Sequence, residues 1–172
     1  MKTILFGLGM LTLVATLGCG KSDDGDAKKS AAEPTGKQYL VETQPESSMP
    51  VGDARAAAKD GDSVNLLGRI GGSTSPFIEG LAAFTVVDPK VPWCPPEEGC
   101  PTPWDYCCKQ SEVKENIATV KVLNEAGAPV AEDARKLLGV KELSLVIVEG
   151  TAQRDDQGNL SVMAKKVFIK EL

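Results

Sequence analysis

Apolar residues fall into five strand-length stretches and two short helical ones. Residues 63–72 (SVNLLGRIGG) and 82–88 (AAFTVVD) alternate or run β-branched on either side of a Gly/Ser/Pro connection, which predicts strands one and two. Residues 118–124 (ATVKVLN) predict strand three. Residues 142–155 (ELSLVIVEGTAQRD) and 160–170 (LSVMAKKVFIK) predict strands four and five, parted by the turn signal DQGN. Residues 52–62 (GDARAAAKDGD) predict a helix capped by Asp53 and closed by Gly61. Residues 131–140 (AEDARKLLGV) predict a second helix, with acidic residues first and Gly139 after the last leucine.

Three strands, a helix and two strands, with Gly68 interrupting the first strand, resemble the OB-fold over residues 63–169. The resemblance implies a mainly β domain, a five-stranded Greek-key barrel with short helices. Phe84, Val86, Val120, Val122, Leu145, Ile147, Val162 and Ala164 are the positions expected to point into the barrel.

The amino end has a different grammar. Lys2 precedes an apolar run over residues 4–17, followed by small residues and then by charge. That is the pattern of a secretory signal, and the run is shorter than the roughly 20 residues a membrane-spanning helix needs. Thr16-Leu17-Gly18-Cys19 resembles the lipobox of bacterial lipoproteins, departing from it at Thr16, where a large aliphatic residue is usual. The resemblance implies cleavage after residue 18, lipidation of Cys19, and display on the extracytoplasmic side of the bacterial cell envelope. Residues 19–46 are polar and small and are expected to be a flexible tether with a reach of about 25–30 Å. The folded domain is then residues 47–172.

Composition narrows the chemistry. The 172 residues carry 24 Asp and Glu against 19 Lys and Arg, and no histidine. An acidic chain repels phosphate backbones, so no nucleic-acid partner is expected. Without histidine there is no Ser-His or Cys-His nucleophile pair and no His-ligated metal, and the haem attachment of exported OB-fold haem chaperones is excluded. The pairs Glu97–Glu98 and Asp155–Asp156 read as solvated neighbours, and Arg69, Lys121, Arg154, Lys165 and Lys166 as a solvated face. No catalytic set stands out.

The strongest local bias is a cysteine-rich loop over residues 89–112 (PKVPWCPPEEGCPTPWDYCCKQSE), which holds Cys94, Cys100, Cys107, Cys108 and both tryptophans. In an oxidising compartment these cysteines are expected to form two disulfides, Cys94–Cys107 with Cys100–Cys108 or Cys94–Cys108 with Cys100–Cys107. No cofactor is expected on that reading. The alternative is a metal site on the same four residues, zinc or iron–sulfur, or a thiol-redox pair. Against both stands the absence of CxxC spacing, and adjacent cysteines in extended chain point to opposite faces. Trp93, Trp104, Asp105 and Tyr106 are the candidate contacts for a ligand or partner, on a loop joining the strands that carry the ligand surface of OB-folds.

These observations lead to an expected membrane-anchored, non-enzymatic binding or assembly module that contacts an envelope protein or small ligand. The alternative is a Cys-dependent metal-binding or thiol-redox protein. On the anchor, metabolic labelling with a fatty acid should mark the wild type and not Cys19→Ala; equal labelling of the two contradicts the lipoprotein reading.

Overall fold

A computed structural model describes residues 33–170, in which the alternating stretches form one closed sheet. Cys19, the signal segment and the first part of the tether lie outside the described residues. The elements in chain order are β1 (Met49–Pro50), α1 (Val51–Ala57), β2 (Ser63–Ile70), β3 (Ala83–Val87), α2 (Gln110–Glu115), β4 (Ile117–Val122), α3 (Ala134–Leu138), β5 (Leu145–Arg154) and β6 (Leu160–Lys170).

Antiparallel pairing runs from β2 through β3 to β4; β4 then lies parallel to β6, and β6 antiparallel to β5. A seven-residue ladder between β2 and β5, with Leu66 opposite Val148, joins the two ends into a barrel. This is the five-strand OB-fold-like topology with its helix α3 between the third and fourth barrel strands. The short β1 adds to β2 in parallel.

The barrel core is built from alternate residues of each strand, including Leu66, Phe84, Val86, Val120, Val122, Val162 and Ala164. Each fully buried valine, leucine or phenylalanine among them contributes roughly 1.5–3 kcal/mol. β2 can lie this close to its neighbours because residue 68 is glycine: a Cβ there would come within 2.7 Å of the Val86 Cβ and 3.1 Å of a Val51 methyl.

The parity expected of β5 is corrected. Val146 and Val148 enter the core, Leu145 is half-buried, and Ile147 is buried outside that core, between its cross-strand neighbours Leu67 and Phe168. Residues 145–148 are apolar without interruption, so alternation carries no information there. Further along, Glu149 pairs with Lys166 and Gly150 with Ala164, leaving Lys165 as the extra residue of a bulge. The bulge lets both Ala164 and Val167 face inward.

The helices keep their order and shift at their ends. Asp53 lies inside α1 instead of capping it; Pro50 takes the capping position, with no side-chain bond. At α3, Asp133 accepts the Arg135 N–H at 2.8 Å, and Gly139 ends the helix at φ 73°, as its sequence position implied. The tether ends earlier than expected. Gly36 N–H donates to the Leu137 carbonyl at 2.8 Å, Val41 N–H donates to Val167 at 3.0 Å, and Tyr39 and Leu40 pack on the core. The docked chain therefore begins near residue 35. Among the described residues no helix is long and apolar enough to cross a membrane.

Arg154 is no solvated cation. Its guanidinium donates to the carbonyls of Ala54, Arg55 and Ala58 at the end of α1, and to Gly158 in the β5–β6 turn. Arg154→Met should therefore cost about 2–3 kcal/mol of unfolding free energy by denaturant titration; a loss below about 0.5 kcal/mol contradicts the capping role.

Candidate functional site

The cysteine-rich loop leaves the barrel after Val87, which pairs with Ile117 as the last rung between β3 and β4. Asp88 closes its base. Its N–H donates to the Asn116 carbonyl at 2.9 Å, and its carboxylate, 1% exposed, accepts the N–H groups of Gly52 at 2.7 Å and Lys90 at 2.9 Å. Above this base the loop has a core of its own: Val87, Val91, Tyr106 and Val113, with Trp93 and Ile117 packed against them.

Pro103 opens a 3₁₀ turn, Pro103–Asp105. Tyr106 then takes a left-handed conformation at φ 55°, and a second 3₁₀ turn follows at Cys107–Lys109. A non-glycine residue in that region is uncommon and needs outside support. The support is visible: the Asp105 carboxylate accepts the Cys107 N–H at 2.8 Å and the Thr102 hydroxyl at 2.7 Å, and the Tyr106 ring is fully buried. The reversal also seats the loop on the barrel. Gly72 N–H donates to the Trp104 carbonyl at 2.7 Å, and a Cβ on Gly71 would meet that same oxygen at 2.5 Å.

The four sulfurs converge. Cys107 Sγ lies 3.2 Å from Cys100 Sγ and 3.7 Å from both Cys94 Sγ and Cys108 Sγ. Cys94 is 3% exposed, Cys100 is half-buried, and Cys107 and Cys108 are exposed. The structure draws no bond between any two of these sulfurs. The expectation that Cys107 and Cys108 diverge is corrected, because the chain there is a 3₁₀ turn entered from a left-handed residue and not an extended strand. Two carboxylates adjoin the sulfurs: Asp105 beside Cys94, Cys100 and Cys107, and Glu98 beside Cys94 and Cys108. These are the groups that could hold a metal. Glu98, read from sequence as merely solvated, had only its place inside the loop as a signal.

The local electrostatics separate the buried sulfur from its more exposed neighbours. Burial pushes the Cys94 thiol up, but the Cys108 backbone N–H and the neighbouring thiols donate to it and bring it below its ordinary value. Cys100 is pushed up to about 12, first by its hydrogen bond with Cys107, and Cys108 up to about 11 for the same leading reason.

Of the aromatic and acidic contact candidates, two remain accessible. Trp93 and Trp104 are half-buried and line a groove of about 650 Å³ together with Pro103, Leu143, Leu145 and Ile169. The Trp104 Nε1–H donates to the Thr74 carbonyl at 3.1 Å, holding the indole in place. Among the described residues, Arg69, Lys141 and Lys170 stand around the groove against a single carboxylate, Glu142. Arg69, read from sequence as solvated, donates to the Leu143 carbonyl at 3.0 Å. Leu143 itself is left-handed, at φ 64°. Asp105 and Tyr106 are corrected as contacts, since the Asp105 carboxylate is engaged within its own turn and the Tyr106 ring is loop core.

No protein-family model matches the chain, and no curated protein matches it. Among solved structures, the chain is similar to the crystal structure of a protein from Leishmania major Friedlin assigned as an aspartyl-tRNA synthetase, with a TM-score of 0.42 and 11% identity. The match covers 77% of this chain and 24% of that one, so the chain spans about a quarter of that protein's length.

The Tyr106 hydroxyl is buried without a hydrogen-bond partner among the described residues. Burial pushes its ionisation up to about 12, with Arg69 pulling it down and Cys94 pushing it up. The folded state thus holds this proton more tightly than the unfolded chain, whose tyrosine ionises near 10. The resulting stability is complete below about pH 10 and is lost as pH rises towards 12. Tyr106→Phe should raise unfolding free energy by about 1–2 kcal/mol at pH 7 and remove this part of the alkaline decline. A destabilised variant, or an unchanged alkaline profile, contradicts the assignment.

Proposed function

We propose that the domain is a non-enzymatic binding module, lipid-anchored at Cys19 on the outer side of a bacterial envelope membrane, and that it takes an anionic ligand with an aromatic or apolar body. The observation that carries the reading is the groove between the cysteine-rich loop and the barrel end. Two indoles, Trp93 and Trp104, share it with Arg69, Lys141 and Lys170, in a chain whose formal net charge is −5. Indole faces give apolar contact and stacking at little entropic cost, and the cations select the sign of the charge they meet. Because each tryptophan is tied to the loop core or to the barrel, the surface is preorganised, which lowers the cost of binding. The absence of histidine from the sequence supports binding over catalysis.

The reading predicts saturable, one-site binding of 8-anilinonaphthalene-1-sulfonate, an anionic aromatic probe, followed through tryptophan quenching and probe emission. Trp104→Ala and Lys141→Ala should each weaken it about tenfold, equivalent to roughly 1.4 kcal/mol, whereas Lys121→Ala on β4 should leave it unchanged. Equal affinities across the three variants, or non-saturating binding, contradict the groove as the site.

A further inference from the structure

The loop's sulfurs carry a second inference that does not depend on the groove. We propose that Cys94, Cys100, Cys107 and Cys108 form a four-thiolate site for a divalent cation of the zinc class. Zinc bonds thiolate sulfur at about 2.3 Å, and a tetrahedron with that radius has sulfurs about 3.8 Å apart along each edge. Cys107 Sγ stands 3.7 Å from Cys94 Sγ, 3.7 Å from Cys108 Sγ and 3.2 Å from Cys100 Sγ. Cys94 Sγ also lies within 4.8 Å of Cys100 and of Cys108. One sulfur with three near neighbours is the geometry of a shared centre; two disulfides would join each sulfur to a single partner.

The backbone is arranged for that convergence. Structural zinc sites ordinarily gather two ligands from each tight CxxC turn, and this loop lacks that spacing. The left-handed residue Tyr106 and the 3₁₀ turn after it do the same work, turning Cys107 and Cys108 towards one side. Asp105 holds the Cys107 N–H at 2.8 Å, and Gln110 Nε2 donates to the carbonyls of Asp105 and Tyr106 at 2.6 and 3.3 Å. Asp105 is therefore a positioning residue: both its oxygens are already engaged, by Cys107 and by Thr102. Sulfur donors select zinc or iron over magnesium and calcium, which prefer oxygen. Binding exchanges thiol protons for the cation and releases them to solvent; no electron moves.

The test uses the full chain purified under nitrogen. Metal analysis is expected to find one zinc per chain. Replacing zinc with Co²⁺ should give the sulfur-to-cobalt charge-transfer and intense ligand-field bands of a tetrahedral thiolate site. Cys100→Ser and Cys108→Ser should each weaken Co²⁺ binding at least about tenfold, while Glu125→Gln, in the exposed turn after β4, should leave the spectrum unchanged. Chelation should shift the fluorescence of Trp93, which neighbours Cys94, while the barrel's far-ultraviolet signal persists. If the serine variants do not fold, the wild-type metal content and cobalt spectrum decide. Alkylation mapping that finds the four loop cysteines paired in disulfides overturns the proposal. So do four free thiols giving no tetrahedral cobalt spectrum, or an iron–sulfur chromophore.

Discussion

The ladder between β2 and β5 is the constraint on which the rest of the molecule stands. It turns a six-stranded sheet into a barrel and sets Arg69, near the end of β2, opposite Leu145 at the start of β5. That rim is the floor of the groove, and the glycines just beyond β2 are where the cysteine-rich loop lands. A sheet left open at this seam would lose the core shared by Leu66 and Val148 as well as the surface on which the loop rests. Gly68 is part of the same constraint, because closure at this radius leaves no room for its side chain against Val86.

On that floor the loop behaves as a second, smaller packing unit. Its buried residues form a cluster separate from the barrel's, and its ends are drawn together by the Val87–Ile117 rung and the Asp88–Asn116 bond. Ordering a long excursion costs conformational entropy that a handful of buried side chains offsets poorly. Prolines reduce that cost by restricting the unfolded chain, and a shared centre among four sulfurs would reduce it further. The left-handed turn at Tyr106 is the point where packing and chemistry meet: the ring fills the loop core while the backbone aims two sulfurs at a third and a fourth. Positive charge beside Trp93 and Trp104 then distinguishes the groove within an otherwise acidic chain.

Much of this is legible in the sequence where one local force dominates. The five strands were readable because polar residues punctuate them, and α3 because Asp133 and Gly139 mark its ends. The inward set of β5 was not, since residues 145–148 are all apolar and alternation falls silent. The bulge at Lys165 depends on register with Glu149, a relation between two distant stretches. Thr35 to Val41 looked like tether because its docking rests on backbone hydrogen bonds that no side-chain pattern announces. The candidate site divides the same way. The importance of the four cysteines and the two tryptophans is plain from composition. Their convergence is not, because it follows from a single left-handed residue, and Arg69 joins the groove only through closure of the barrel.

The account's central claim is that four sulfurs meet at one cation and so shape the loop. X-ray absorption at the zinc edge of the purified chain tests it most directly. The account predicts a first shell of four sulfur scatterers at about 2.3 Å. A shell containing two or more nitrogen or oxygen scatterers, or a chain without zinc whose loop sulfurs are bonded to one another, contradicts it.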